Sequence, residues 1–340
     1  MQAWVVRAPS PIDEGPLSLV ERPRPVPGSH EVLVQIVACG VCRTDLHLAE
    51  GDLEPHFDGA TPGHEVVGRV VETGEGATRF AIGERVGIAW LRRTCGSCRF
   101  CRSGAENLCV DPRFTGWDDH GGFAQYAVID EAYAYRIPER FDDAHAAPLL
   151  CAGIVGYRAL KRAGVPPGGR LGVYGFGASA HLAAQVAIAS GVEVYVCTRS
   201  PNAQQLALEL GAVWAGEAAE PPPVPLQGAV LFAPVGDLVQ PALEALDRGG
   251  RLSVAGIHLS DVPGLDYQRH LFHERELVSV TANTRADGEE FLAVAANIGI
   301  RVEINEYGFA EADRALVDLA HDRVRGAAVL SMDPGSSPAL

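Results

Sequence analysis

Four of the eight cysteines lie within fifteen residues of one another and follow the pattern C-x2-C-x2-C-x7-C. They are Cys95, Cys98, Cys101 and Cys109. Four thiolates around one ion make a closed tetrahedral site, which is typical of structural Zn²⁺. The first three cysteines are close enough to converge on one ion from a tight loop, and the fourth returns after a short excursion. The spacing therefore predicts a structural zinc lobe.

Three other interpretations of this cluster are weaker. A disulfide-linked cluster requires an oxidising compartment, and the N-terminus has no apolar signal-peptide segment. An iron–sulfur cluster fits the first three spacings but not the seven-residue gap before the fourth cysteine. A nucleic-acid-binding ribbon gains support from nearby arginines, but the chain as a whole is acidic. Those arginines are Arg92, Arg93, Arg99 and Arg102.

A second set of candidate ligands lies in the segments CGVCRTDLH (residues 39–47) and GHE (63–65), together with Cys151. Cys39 and Cys42 alone could form a redox pair, and a single histidine is more often structural. Two thiolates and one imidazole, with a fourth position open, are instead the ligand set of a catalytic zinc. Cys42, His64 and Cys151 are far apart in sequence, so their convergence depends on the fold.

A glycine-rich segment is typical of a dinucleotide-binding turn. Residues 175–180 read G-F-G-A-S-A, between a predicted strand at 170–174 and a predicted helix at 181–190, and a second strand is predicted at 192–197. In this strand–turn–helix context, the glycines let the backbone approach a pyrophosphate at the helix N-terminus. Ala180, at the third position of the motif, is an accepted variant.

The end of the second predicted strand favours a phosphorylated cofactor. NAD-binding proteins place an acidic residue there for the ribose 2′-hydroxyl, whereas this chain reads Thr198-Arg199-Ser200. An arginine flanked by two hydroxyls suits a 2′-phosphate. The alternative is that Arg199 is a solvated surface arginine. We therefore expect NADP(H) to be favoured, with NAD(H) as the alternative.

These candidate residues must be held by two kinds of domain. Residues 1–150 carry both cysteine clusters and valine-rich predicted strands such as 31–38 and 65–71, which indicates a β-rich domain. Residues 151–283 alternate strands and helices, with further buried strands at 229–233 and 252–255, which predicts a doubly wound parallel sheet. The proline-rich run 221–225 is predicted to be a loop.

The composition of the chain limits the kinds of molecule that it is expected to bind. The formal net charge of −15 disfavours nucleic acid and anionic membrane surfaces as partners. The uncharged stretch 171–192 is long enough to span a membrane, but its glycines and polar residues indicate a buried strand, a turn and a buried helix. With no signal-peptide segment, the expected location is cytoplasmic.

Taken together, the chain resembles the zinc-containing medium-chain alcohol dehydrogenases, with its nearest likeness to the bacterial and cinnamyl-type branches. CGVCRTDLH, TPGHEVVGRV, the four-cysteine lobe, APLLCAG and the glycine loop occur in that family's order and cover essentially the whole chain. The resemblance implies an α/β fold with a GroES-like catalytic domain and a Rossmann cofactor domain. It also implies that residues 284–340 return to the catalytic domain.

The resemblance implies catalytic roles around the second set of ligands. Cys42, His64 and Cys151 would hold the catalytic zinc, and Glu65 could approach the ion during ligand exchange. Asp45 would orient His64. The other roles are that Thr44 would hydrogen-bond the substrate oxygen and His47 would pass the proton to solvent.

The resemblance also implies cofactor and substrate contacts. Arg43 and Arg285 would contact the pyrophosphate. The phosphate turn would comprise Gly175, Gly177, Ala178 and Ser179, and the adenosine end would meet Thr198, Arg199 and Ser200. Phe57, Trp90 and Trp117 would narrow the substrate pocket in favour of primary alcohols, or they are core packing residues.

The function predicted from the sequence is therefore a zinc-dependent, NAD(P)-linked alcohol dehydrogenase or aldehyde reductase. It would carry two zinc ions per chain, act on small-molecule alcohols and aldehydes, and form a homodimer or homotetramer. A zinc-free quinone reductase is disfavoured because all seven expected ligands are present. A non-catalytic, zinc-stabilised binding protein would be expected to lack Thr44, His47 or a ligand, and none is missing.

Overall fold

The computed structural model describes residues 1–217 and 220–332, which form two compact units. The first unit comprises Met1–Cys151, Ala282–Ala293 and the described chain from Val302 onward, and the second comprises Ala152–Thr281 and Val294–Arg301. The division at residues 150 and 283 stays a prediction. In the structure, residues 294–301 group with the second unit rather than the first.

The elements of the first unit are mainly strands. Up to Cys151 the strands are β1 (Gln2–Val6), β2 (Leu17–Glu21), β3 (Glu31–Val41), β4 (Glu65–Thr73), β5 (Arg85–Ile88), β6 (Leu91–Arg93), β7 (Arg113–Phe114), β8 (Tyr126–Asp130) and β9 (Ala134–Arg136). The helices in the same stretch are α1 (Arg43–Glu50), α2 (Arg99–Arg102) and α3 (Asp143–Ala146).

The second unit alternates helices and strands. Its helices are α4 (Ala152–Ala163), α5 (Ala178–Ala189), α6 (Pro201–Glu209) and α7 (Val239–Ala245). Its strands are β10 (Arg170–Tyr174), β11 (Glu193–Cys197), β12 (Trp214–Gly216), β13 (Leu226–Leu231), β14 (Leu246–Val254) and β15 (Glu276–Ser279). The chain then continues through α8 (Arg285–Ile298), β16 (Ile304–Gly308), α9 (Ala312–Ala320) and β17 (Ala327–Ser331).

Strand β3 is central to the main sheet of the first unit. The strand order is β16-β17-β3-β4-β5-β9, and β8 pairs with the first half of β3. All of these pairs are antiparallel except β16 with β17. The sequence of β3 is almost continuously apolar and buried, as expected for a strand covered on both faces. The predicted β-rich domain is thus found, although β3 runs on to Val41 beyond the predicted end at 38.

The sheet of the second unit is parallel throughout, in the order β12-β11-β10-β13-β14-β15. The strand order reverses between β10 and β13, and ligands of such sheets bind beyond the carboxyl ends of the strands at this reversal. Buried valines and leucines of β10 and β11 form its core, including Leu171, Val173, Val194 and Val196. The predicted doubly wound parallel sheet is confirmed.

Several element boundaries differ from the prediction, including the predicted strand at 252–255, which lies within β14 at Leu246–Val254 except for its last residue. Helix α5 begins at Ala178 rather than at residue 181, because the extended residue Gly177 already accepts the amide of His181 at 3.1 Å. Strand β13 spans 226–231 rather than 229–233. Phe232 and Ala233 leave its ladder because both of their amides bind the carbonyl of Tyr174.

Two predictions about unusual segments are confirmed. The uncharged stretch 171–192 forms β10, the turn and α5, and within the described residues no helix is both long and apolar enough to cross a bilayer. The proline-rich run 221–225 has neither helix nor strand, as predicted for a loop.

Candidate metal centres and cofactor loop

Asp45 ties the start of α1 to the loop that precedes β4. Strand β3 ends at Val41, and Cys42 is the residue before the first turn of α1. The Asp45 carboxylate accepts the amide of Cys42 at 2.9 Å and the amide of Gly63 at 2.8 Å. Since these amides flank Cys42 and His64, one buried carboxylate fixes the backbone beside both candidate ligands.

The fold brings four candidate ligands together. Atoms of Cys42, His64, Glu65 and Cys151 able to ligate a metal all lie within 4.8 Å of one another. Cys151 reaches this cluster from the end of the short helix Ala147–Leu150, whose residues are buried. The sequence alone left this convergence open, and the structure shows it.

His64 has the geometry of a metal ligand. It is 1% exposed, and its Nδ1 lies 3.2 Å from Oδ1 of Asp45. Within the described residues neither ring nitrogen has a partner with hydrogen-bond geometry, although Nδ1 is close to Asp45. Buried polar atoms almost always have a partner, so a ring nitrogen without one fits an atom that binds an ion. Two thiolates, one imidazole and a carboxylate are donors that zinc accepts.

Electrostatics in this cluster favour charged donors. The hydrogen bond from Cys151, followed by the influence of His64, holds the pKa of the Cys42 thiol well below its usual range. The same bond raises the pKa of Cys151, so the pair shares one proton. Burial disfavours a charged His64, but the carboxylate of Asp45 and the thiolate of Cys42 raise its pKa overall. A cation would replace these protons, since metal ligands must be deprotonated.

The other predicted residues of α1 lie beside the cluster. The Oγ1 of Thr44, which is 5% exposed, lies 3.7 Å from the Cys42 sulfur. His47 lies one turn further on, with its Nδ1 3.0 Å from Oδ2 of Asp52. The guanidinium of Arg43 donates to Asp322 at 2.7 Å.

Aromatic rings lie against His64. The ring of Trp90 meets His64 edge to face at 4.9 Å. Trp90, Phe114 and Trp117 stack on one another with centroid distances of 5.0–6.0 Å. The ring of Phe57 lies edge-on to His120 at 4.9 Å and packs on the same core as Phe114 and Trp117. The structure therefore places Trp90 beside His64 and stacks Trp117 on Trp90.

The four-cysteine lobe is also assembled. Ligating atoms of Cys95, Cys98, Cys101 and Cys109 lie within 4.8 Å of one another, and three of the sulfur–sulfur distances are 3.5, 3.5 and 4.0 Å. A tetrahedron with Zn–S bonds of 2.3 Å has edges of about 3.8 Å, so the spacing fits zinc. All eight cysteines, which lie within the described chain, are free thiols, and this argues against a disulfide cluster.

The thiol pKa differs between the exposed and the buried cysteines of the lobe. Backbone amides of Cys98 and Ser97 lower the pKa of Cys95 to about 6. Burial raises the pKa of Cys109 to about 11. Next to the lobe, Glu106 binds the guanidinium of Arg285 through both of its carboxylate oxygens. The predicted pyrophosphate contact of Arg285 therefore involves a side chain that is ion-paired in this structure.

The glycine loop has the backbone that the motif requires. Gly175 has a φ of +83°, and a Cβ atom there would lie 2.9 Å from the amide nitrogen of Ala233. Gly177 is extended and precedes α5, and space around it is open. Ala178 and Ser179 are the first residues of this 12-residue helix, where amides without helical partners can bind an anion.

Hydrogen bonds of Thr198 and Ser200 hold the segment that follows β11. Thr198 is 7% exposed, and its amide binds the carbonyl of Gly216 at 2.9 Å. Ser200 precedes α6, and its hydroxyl accepts the amide of Ala203 at 3.4 Å. Arg199, between them, is exposed.

Comparison with known proteins decides the family. Residues 28–139 match the family model of the alcohol dehydrogenase GroES-like domain. The chain is 58% identical over 335 residues to a protein named "Probable alcohol dehydrogenase AdhA" from Mycobacterium tuberculosis, covering 97% of each chain. The chain belongs to the zinc-type medium-chain alcohol dehydrogenases.

Solved structures of alcohol dehydrogenases share this fold across the whole chain. A cinnamyl alcohol dehydrogenase from Sorghum bicolor has a TM-score of 0.90 at 28% identity, covering 100% of this chain and 99% of that one. A thermostable alcohol dehydrogenase from Pyrobaculum aerophilum, solved with cobalt and zinc bound, has a TM-score of 0.89 at 26% identity. The match covers 97% of this chain and 99% of that one. CAD from Helicobacter pylori, complexed with NADP(H), has a TM-score of 0.87 at 25% identity. The match covers 98% of this chain and 99% of that one.

Sequence reasoning did not single out two aromatic partners in this alcohol dehydrogenase. Phe114 completes the ring stack, and His56 stacks on Trp117 at 4.2 Å while its Nδ1 lies 2.7 Å from Asp118. Phe114 reaches the stack because β6 pairs with β7, which places Phe114 opposite Leu91, the residue after Trp90. Strands of two and three residues leave no periodicity from which to predict this pairing.

Proposed function

We propose that this alcohol dehydrogenase is zinc-dependent and transfers hydride between a primary alcohol, or its aldehyde, and a nicotinamide cofactor. The observation that carries the proposal is the cluster of Cys42, His64, Glu65 and Cys151, whose ligating atoms lie within 4.8 Å of one another. The zinc-bound relative from Pyrobaculum aerophilum supports it.

Cys42, His64 and Cys151 would hold the ion, and Glu65 is close enough to join them. A zinc ion there would supply Lewis-acid polarisation of the substrate oxygen. Asp45 orients His64, because the contact of its carboxylate with Nδ1 leaves Nε2 for the ion. Trp90 packs against the imidazole ring and limits its rotation.

The proton of the alcohol would leave along α1. Thr44 is buried beside Cys42 and would accept a hydrogen bond from the substrate hydroxyl while releasing its own hydroxyl proton toward His47. His47 lies three residues later on the same face of the helix and has a side chain that is 16% exposed. It passes the proton toward solvent, and Asp52 holds its ring through Nδ1.

The aromatic wall favours unbranched substrates. Trp90 and Trp117 stack on each other and on Phe114, and Trp90 lies against His64. Three large rings there would narrow the space for a second substituent on the carbinol carbon. Primary alcohols and aldehydes are therefore the proposed substrate class.

NADP(H) is the proposed cofactor, with NAD(H) as the alternative. The β11 end has Thr198, Arg199 and Ser200 where a carboxylate would select NAD(H). The NADP(H) complex of the Helicobacter pylori relative supports this choice. Arg43 and Arg285 stay predicted pyrophosphate contacts, although each guanidinium is paired with a carboxylate here.

The four-cysteine lobe would hold a second, structural zinc, so we propose two ions per chain. We also propose a homodimer or homotetramer. Strand β15 forms an outer edge of its sheet, with three of its four residues exposed, and Tyr267 and Phe272 just before it are 62% and 51% exposed. An open edge beside exposed aromatic rings favours pairing with another copy.

Metal content and turnover test the proposed function together. We expect two zinc ions per chain by elemental mass spectrometry and benzyl alcohol oxidation that is faster with NADP⁺ than with NAD⁺. Two zinc ions with NAD⁺ preferred would contradict only the cofactor proposal. One zinc ion without turnover would contradict the catalytic zinc and leave the structural lobe in place.

A further inference from the structure

Gly40 and Glu65 are paired across strands β3 and β4 of the main sheet. Side chains directly opposite in an antiparallel pair share the space between the two residues. Here the Glu65 side chain takes all of it. A Cβ atom built on Gly40 would lie 2.8 Å from Cβ and 2.7 Å from Cδ of Glu65, closer than carbon atoms approach in proteins.

Space, rather than backbone conformation, requires this glycine. Gly40 is not among the residues with positive φ, and it lies within the regular β3–β4 ladder. Any other residue could adopt its backbone. A methyl group is excluded only because the Glu65 side chain lies against the strand at this point.

The side chain that occupies this space is that of Glu65, one of the four candidate metal ligands Cys42, His64, Glu65 and Cys151, which are called the metal cluster here. Glu65 is 3% exposed, and its carboxylate lies within 4.8 Å of the ligating atoms of Cys42, His64 and Cys151. A carboxylate at that distance attracts a cation strongly, because burial reduces screening by water. Moving it away by an ångström or more would reduce this attraction.

We propose that Gly40 is a positioning residue that keeps the Glu65 carboxylate inside the metal cluster and so slows loss of the ion. The inference rests on the proposed catalytic zinc site. Substitutions of groups that support metal ligands typically cost 10- to 100-fold in metal affinity. We therefore expect Gly40→Ala to speed metal release from this cluster about tenfold.

Release of Zn²⁺ to the chelator 4-(2-pyridylazo)resorcinol measures this effect on the full-length protein. The four-cysteine lobe serves as an internal comparison, since a general loss of stability would speed release from both sites. Loading with Co²⁺ tells the sites apart, because four thiolates give stronger charge-transfer absorption than two. Gly40→Ala should speed release from the metal cluster but not from the four-cysteine lobe.

Two further sets of variants separate positioning from packing. Glu65→Gln should speed release by itself, and Gly40→Ala should add nothing in that background. Glu65→Asp withdraws the carboxylate without any overlap at Gly40 and should also speed release. As the control, Gly172→Ala places a methyl group 2.5 Å from Cδ1 of Leu226 in the other unit and should leave release unchanged.

The outcomes distinguish the two proposals. Unchanged release in Gly40→Ala, or an equal acceleration in the Glu65→Gln background, overturns the role of Gly40 while the zinc site stands. Unchanged release in both Glu65 variants overturns it as well. A wild-type protein that holds metal only in the lobe overturns the proposed catalytic zinc site, and this inference with it.

Discussion

Arg285 and Glu106 form a two-point ion pair between residues 179 positions apart in sequence. Nη2 of Arg285 lies 2.7 Å from Oε2 of Glu106, and Nε lies 3.0 Å from Oε1, which also accepts the Arg285 amide at 2.7 Å. The guanidinium also covers the ring of Tyr133 at 4.7 Å. Because Glu106 lies between Cys101 and Cys109, this pair joins the lobe to the first turn of α8.

Glu106→Gln is expected to lower the free energy of unfolding by about 1–3 kcal/mol, as for loss of hydrogen bonds to a buried charged group. The Glu106 side chain is 9% exposed, so water competes little for its hydrogen bonds to Arg285, and glutamine would weaken these bonds by removing the charge. The matched control is Glu276→Gln. Its pair with Arg251 has similar two-point geometry but is solvent-exposed, so a much smaller loss is expected. Urea unfolding measures both, and equal losses would contradict a special role for the Glu106 pair.

Cys95→Ser is expected to remove one zinc ion per chain and to lower the melting temperature. Serine is a poor zinc ligand, and the remaining three thiolates cannot close the tetrahedron. Cys197→Ala is the control, because Cys197 is buried in the second unit and belongs to neither cluster, so its zinc content should stay at two. Elemental mass spectrometry and calorimetry make the comparison. Full zinc content with an unchanged melting temperature in Cys95→Ser would refute the structural site.

Arg199→Asp is expected to shift cofactor preference from NADP⁺ toward NAD⁺ by at least about tenfold in the ratio of kcat/KM values. The variant removes a charge-assisted bond to the 2′-phosphate and supplies a carboxylate for the 2′-hydroxyl. Arg248→Asp, an exposed arginine elsewhere in the same unit, makes the same charge change and should leave the ratio unaltered. A constant ratio in Arg199→Asp would remove Arg199 from the cofactor site.

His120 is expected to titrate far below an ordinary histidine. Partial desolvation of this ring, which belongs to a surface-exposed residue, and then the charge of Arg22 lower the pKa of His120 to about 4. Nη1 of Arg22 lies 3.0 Å from its Nδ1. The unfolded chain binds a proton at this histidine below about pH 6.5, while the folded chain does not do so until about pH 4. Stability is therefore lost as the pH falls through this interval. His120→Gln should lose less stability than the wild type between pH 7 and 5.

Two measurements check the His120 prediction. The ring resonances of His120, assigned by their absence in His120→Gln, should show a midpoint near pH 4 in NMR spectra. Urea unfolding at pH 7 and pH 5 gives the difference in stability. A midpoint near 6.5, or equal losses in both proteins, would contradict the lowered pKa of His120.

The structural lobe was predictable because its four ligands lie on one short segment, whose spacing alone limits the geometry. The second cluster was not predictable in this way, because Cys42, His64 and Cys151 meet only through the β3–β4 pairing and the buried helix Ala147–Leu150. The parallel sheet followed from alternating apolar segments, which local pattern encodes well.

Long-range pairs account for what the sequence did not reveal. Nothing near Arg285 indicates that Glu106 is its partner, and nothing in CGVC indicates that Gly40 leaves room for Glu65. The start of α5 was placed three residues late because a helix can begin directly after an extended glycine such as Gly177. These features depend on which backbones lie side by side, and a single sequence does not encode this locally.

Strand β17 has a consequence for biosynthesis. It pairs with the final residues of β3, including Gly40 and Val41, just before Cys42. The sheet that positions the first metal ligand is therefore incomplete until the ribosome has released residues 327–331. Domains generally fold as units during synthesis, beginning at the N-terminus. Here the first unit must wait for residues 327–331, so the nascent chain exposes an unpaired β3 edge while the parallel sheet is being translated.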